Sequence, residues 1–117
     1  MELMSNEVKI ELTPEFKKKL KKLAKKYRNI RSDLELFITE LKQGNFAGDR
    51  ISGWQNRVIY KVRIKNSNIR KGKSGGYRVI YLLATKTSIL LLTIYTKSEQ
   101  EDIATKEIKD IIDEFYL

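Results

Sequence analysis

The chain has 117 residues and a formal net charge of +9, from 24 Lys and Arg against 15 Asp and Glu, with no cysteine and no histidine. A chain of this size fits one compact domain, residues 1–117, burying about two thirds of its unfolded surface. Without cysteine there are no disulfides, thiolate nucleophiles or zinc–thiolate sites, and without histidine the commonest general base and metal ligand is gone, so any catalysis falls to Lys, Arg, Tyr, Ser, Asp or Glu.

The segment Met1–Asn6 lacks the apolar stretch of a signal peptide, and no apolar run approaches the roughly 20 residues of a membrane span. A cytoplasmic protein with no membrane contact is expected. Glu7–Leu12 alternates apolar and polar, the period of a half-buried strand. Thr13 then stands as an N-cap before Pro14 at the first helical position, and Phe16, Leu20, Leu23, Tyr27 and Ile30 recur at helical spacing, with lysines on the opposite face. Ser32–Glu35 has the form of a capping box, and Leu34, Phe37, Ile38 and Leu41 predict a second amphipathic helix ending near Gly44. These two helices form a hairpin.

After a loop from Asn45 to Asn56, Val58–Ile64 alternates strictly, with Tyr60, Val62 and Ile64 on one side and Lys61, Arg63 and Lys65 on the other. Strands follow at 77–83 and 88–96, joined by a tight turn at Thr85–Thr87, and the second is apolar on both faces, as an interior strand requires. Ser98–Glu101 reads as a further capping box, with Ala104, Ile108, Ile111, Ile112 and Phe115 striping a terminal helix. The order β-α-α-β-β-β-α predicts an α+β fold: an antiparallel meander with the helical hairpin on one face, plus a C-terminal helix.

Charge is segregated along this order. Residues 1–49 hold 11 basic and 8 acidic side chains, residues 50–98 hold 11 basic and none acidic, and residues 99–117 hold 2 basic and 7 acidic. A stretch that cannot neutralise itself presents a concentrated field to a polyanion such as nucleic acid. Within it, Gly72-Lys73-Ser74 imitates the end of a nucleotide-binding P-loop. The imitation fails, because Ser67 stands where the first glycine belongs and a strand follows where a helix should receive the phosphates. No nucleotide cofactor is expected. The glycines and Arg70, Lys71 and Lys73 instead suit a basic loop that reaches RNA phosphates.

The element order, the run Tyr60-Lys61-Val62-Arg63-Ile64, the strand Gly76-Tyr77-Arg78-Val79-Ile80-Tyr81 and the segment Ile94-Tyr95-Thr96-Lys97-Ser98-Glu99 resemble the RelE/HigB branch of the RelE/ParE toxin superfamily. The Gly-Lys loop ahead of the Gly-Tyr-Arg-Val strand is most similar to HigB-type members. This resemblance implies a RelE-like microbial RNase fold, cleavage of mRNA on the ribosome, and inhibition by a cognate antitoxin.

The chemistry of the residues is compatible with that. Cleaving RNA requires activating a ribose 2′-hydroxyl, stabilising a phosphorane and protonating a 5′-oxygen. Lys61 and Arg63 project from one sheet face and Arg78 can lie beside them, so the arginines would clamp a phosphate while Lys61, crowded by cations, is a candidate base. The resemblance aligns these three with the strand cations of RelE-type enzymes. Such enzymes also carry an arginine just after the last strand and a tyrosine in the terminal helix. Here that stretch is Lys97-Ser98-Glu99 followed by Gln100-Glu101-Asp102, which leaves Lys97 and Tyr95 as candidate proton donors. Lys65, Arg57 and the α-helical Lys18 and Lys22 are further candidate RNA contacts. Trp54 suits a hydrophobic plug at the sheet edge better than a base-stacking platform. Two other readings stand beside the nuclease: a non-catalytic ParE-type gyrase inhibitor and a plain basic RNA-binding module.

Overall fold

The computed structural model describes residues 8–69 and 76–117. Its elements are β1 (Lys9–Leu12), α1 (Pro14–Lys26), α2 (Ile30–Lys42), β2 (Asp49–Arg50), β3 (Val58–Ile64), β4 (Tyr77–Thr85), β5 (Ser88–Thr96) and α3 (Thr105–Phe115). The strands form one sheet in the order β1-β5-β4-β3-β2. From β2 to β5 the sheet is the expected antiparallel meander, but β1 joins it parallel to β5, so the sheet is mixed. β5 is an interior strand, as its two apolar faces demand.

Thr13 explains how the chain passes from β1 to α1. Its Oγ1 accepts from the Phe16 amide at 2.9 Å, capping the helix, and donates to the Leu92 carbonyl at 2.7 Å, tying the helix start to β5. On one side of the sheet, Phe16 and Leu23 of α1 and Phe37 and Leu41 of α2 pack against Val62, Val79, Tyr81 and Ile94. On the other, Ile108, Ile111 and Ile112 of α3 cover Ile59, Ile80, Leu82, Leu90 and Leu92. Trp54 is half-buried against this second core, the plug its sequence context suggested.

Several boundaries differ from the sequence reading, among them the end of β4, which runs on to Thr85 rather than stopping at 83. Ile30 belongs to α2 rather than to the end of α1: it is fully buried and opens the helix two residues before Ser32, whose hydroxyl donates back to the Asn29 carbonyl instead of capping. β2 is a two-residue strand inside the expected loop. The terminal helix begins at Thr105, because Ser98–Glu101 forms a turn in which the Glu99 carboxylate accepts from the Thr96 amide at 2.9 Å, a local bond that competes with helix initiation. Ala104 is therefore the exposed N-cap, and Ile103 packs against the core in its stead.

Candidate active site

The register of β3, β4 and β5 builds a row across one face. Arg63 lies directly opposite Arg78, and Arg78 directly opposite Tyr95; such partners share a face with Cβ atoms about 5 Å apart. Lys61, two residues before Arg63, shares that face. The core under α3 extends along this face as far as Tyr95, so Lys61, Arg63 and Arg78 lie beside the start of α3, where the connector 97–104 crosses from β5.

Arg78 is 5% exposed, and its Nη1 donates to the Gly76 carbonyl at 2.9 Å. Gly76 is required there, because a Cβ on it would lie 2.6 Å from the Ile64 carbonyl oxygen. Among the described residues no carboxylate pairs with Arg63 or Arg78; the ion pairs are Arg57–Asp113, Lys61–Asp102, Lys106–Asp110 and Lys109–Asp113. A buried guanidinium facing a second arginine is unfavourable in isolation and favours an incoming anion.

Asp102, on the connector, sits at the edge of the row. Its Oδ1 accepts from Lys61 Nζ at 3.2 Å, from the Tyr95 hydroxyl at 3.5 Å and from the Ile103 amide at 2.8 Å. The Ile103 N–H, aided by Lys61, holds the carboxyl below the ordinary aspartate range. Burial, reinforced by Asp102 and opposed by Arg78, pushes the Tyr95 hydroxyl up to about 12. Lys61 thus has an anionic neighbour as well as cationic ones, a change from the all-cation cluster the sequence suggested.

The remaining candidates fall in several places. Lys65 is exposed just beyond β3 and, with Arg63, lines a groove against Ser32, Asp33 and Leu36 of α2. Lys97 is exposed in the turn after β5 and makes no ion pair or side-chain hydrogen bond among the described residues. Lys22, with Lys25 and Lys26, borders a groove of about 360 Å³ beside Thr96 and Glu99, at the end of β5 but on the α1 side of the sheet, opposite the face of the row. Lys18 instead lines a groove with Ile111, Glu114 and Phe115, toward the far end of α3. Arg57 does not join the cluster: it pairs with Asp113 at 3.9 Å, roughly 20 Å along β3 from Arg63 at the usual strand rise. Arg70, Lys71 and Lys73 lie outside the described residues. The stem leading to them is fixed, with the Ser67 amide donating to Asp33 at 2.9 Å and the Asn29 amide to Asn68 at 2.8 Å.

Sequence reasoning missed Asp102, reading the acids after β5 as helix-capping residues. The available signal was the acid-free 50–98 segment, which is followed at once by the acid-rich stretch Glu99–Asp102.

Among the described residues, an α+β fold with three helices around a five-stranded mixed sheet has the build of a RelE-like toxin. The family described as the RelE toxin of the RelE/RelB toxin–antitoxin system matches residues 9–113. The chain belongs to that family: it is a toxin of a toxin–antitoxin system, and its membership implies an antitoxin partner. Among the described residues no helix is long and apolar enough to cross a membrane.

Proposed function

We propose that this toxin is an endoribonuclease of the HigB type that cleaves mRNA on the ribosome, through attack of a 2′-hydroxyl on the adjacent phosphate and without a metal ion. The observation that carries the reading is Arg78: a buried guanidinium opposite Arg63, with only a backbone carbonyl as partner among the described residues. A scissile phosphate between the two arginines supplies the missing counter-charge. Planar N–H donors then follow its oxygens as they gain charge in the phosphorane. Lys61 adds a third cation from the same face. Of the two candidate proton donors, Tyr95 is buried under Asp102, whereas Lys97 is exposed and meets the leaving 5′-oxygen. Lys65 beyond β3 and Lys22 on the α1 side, together with the loop carrying Arg70, Lys71 and Lys73, hold ribosomal or messenger phosphates.

The test is expression in the absence of the antitoxin, with primer extension on translated messages and analysis of the termini. Cuts at defined positions leaving 2′,3′-cyclic phosphate and 5′-hydroxyl ends are expected, undiminished by chelator at levels that leave ribosomes intact. Intact messages together with DNA trapped by gyrase would instead establish the ParE-type activity.

A further inference from the structure

We infer that Asp102 is the general base that takes the proton from the attacking 2′-hydroxyl, an assignment that rests on the nuclease reading. The geometry of its carboxylate is divided. Oδ1 accepts from the Ile103 amide, Lys61 and Tyr95 at 2.8, 3.2 and 3.5 Å, whereas Oδ2 takes no hydrogen bond among the described residues. One oxygen is anchored and the other is presented. The side chain is 65% exposed, so a ribose reaches it from solvent. It stands beside the row Arg63–Arg78–Tyr95, where a phosphate would bind.

The protonation states agree with this division of labour. Tyr95, pushed up to about 12 by burial, keeps its proton at neutral pH and cannot accept another. Asp102, held low chiefly by the Ile103 amide, is ionised. A carboxylate so stabilised is a weak base in the empty site. A bound phosphate adds negative charge beside it and competes for Lys61, and both effects raise its basicity when the substrate arrives. Lys61 from β3 and Tyr95 from β5 bond its carboxylate, Arg78 from β4 and Glu107 from α3 act on Tyr95 beside it, and Glu101 is its neighbour on the connector.

In the reaction, Oδ2 accepts the 2′ proton as the 2′-oxygen bonds to phosphorus. The bond from phosphorus to the 5′-oxygen breaks, and that oxygen takes a proton from the Lys97 ammonium. The products are a 2′,3′-cyclic phosphate and a 5′-hydroxyl. Solvent then removes the proton from Asp102 and restores the one on Lys97.

The experiment is single-turnover cleavage of a ribosome-bound message across pH, comparing the parent with Asp102→Asn, Asp102→Glu and Arg78→Met, alongside ribosome binding and thermal melting. Asp102→Asn is expected to fold, to bind within a few-fold of the parent, to cleave on the order of 10²–10³ times more slowly, and to lose the acidic limb of the rate profile. Asp102→Glu should recover part of the rate. Parental or faster cleavage by Asp102→Asn, with tighter binding, would show that the carboxylate merely obstructs the cations and would overturn the assignment. A slow Asp102→Asn variant that keeps the acidic limb would overturn it too, leaving Asp102 to position Lys61. A parent that cuts no message defeats the nuclease reading itself, whereas a cutting parent with an inert Arg78→Met and an unaffected Asp102→Asn defeats only the base.

Discussion

Replacing Arg78 by methionine separates what this side chain does for the fold from what it does for a substrate. In the unliganded protein the guanidinium is 5% exposed, faces Arg63 and makes one side-chain hydrogen bond, to Gly76. Methionine of similar length fills the space, separates like charges that the register sets on adjacent strands and ends the desolvation of a cation; exchange of buried ionic groups for apolar side chains stabilises by roughly 1–4 kcal/mol. Against this stands the bond to the Gly76 carbonyl, about 1 kcal/mol. The net expectation is a gain of about 0–3 kcal/mol, or up to about 12 °C in melting temperature for a domain of this size. Urea titration should show a higher midpoint at unchanged slope. The same variant should cleave on the order of 10²–10³ times more slowly, since donors to developing charge are worth about that much. A variant that melts below the parent would show Arg78 to be a structural cation, and one that cleaves at the parental rate would place the site elsewhere.

Gly48 has φ +104°, and a Cβ on it would lie 2.5 Å from the Lys61 carbonyl oxygen; Gly48→Ala should therefore lose about 2 kcal/mol or more in urea unfolding, and an unchanged midpoint would refute the close approach. In alkali, the folded-state value of Tyr95 near 12 exceeds the unfolded value, so the stability it contributes is complete below the unfolded titration and is lost as pH rises through the folded one; Tyr77 and Tyr81, raised mainly by burial, act in the same sense. Circular dichroism and tyrosinate absorbance should change together above about pH 10, with the midpoint moved upward in Tyr95→Phe, whereas tyrosinate forming at the ordinary value before any loss of structure would mean that these hydroxyls are open to water.

The elements with the strongest repeating pattern were legible in the residues. β3 spans Val58–Ile64 and β5 spans Ser88–Thr96 as their alternation and apolar content indicate, because each pattern is local and both faces of the sheet enforce it. The parallel union of β1 with β5 was not legible: nothing in Lys9–Leu12 specifies a partner that far along the chain. The start of α3 misled for a different reason, since Ser98–Glu101 carries capping residues that the structure spends on closing a turn. The site divides in the same way. Lys61, Arg63 and Arg78 stood out because alternation and charge put them on one face, whereas Asp102 gains its meaning from the connector folding back over Tyr95, which no periodicity encodes.

The tie between the first strand and the last also sets a schedule for synthesis. Thr13 and Leu92, joined by a hydrogen bond, are 79 positions apart, so β1 and α1 emerge from the ribosome long before the strand that seats them. Tyr95 and Asp102 come later still, after every cation of β3 and β4 has been made. Non-local closure of this kind delays the finished sheet. The complete constellation therefore does not form on the ribosome until its own message has been read at least through position 102, and under the proposed function the nascent toxin cannot act on that message before then.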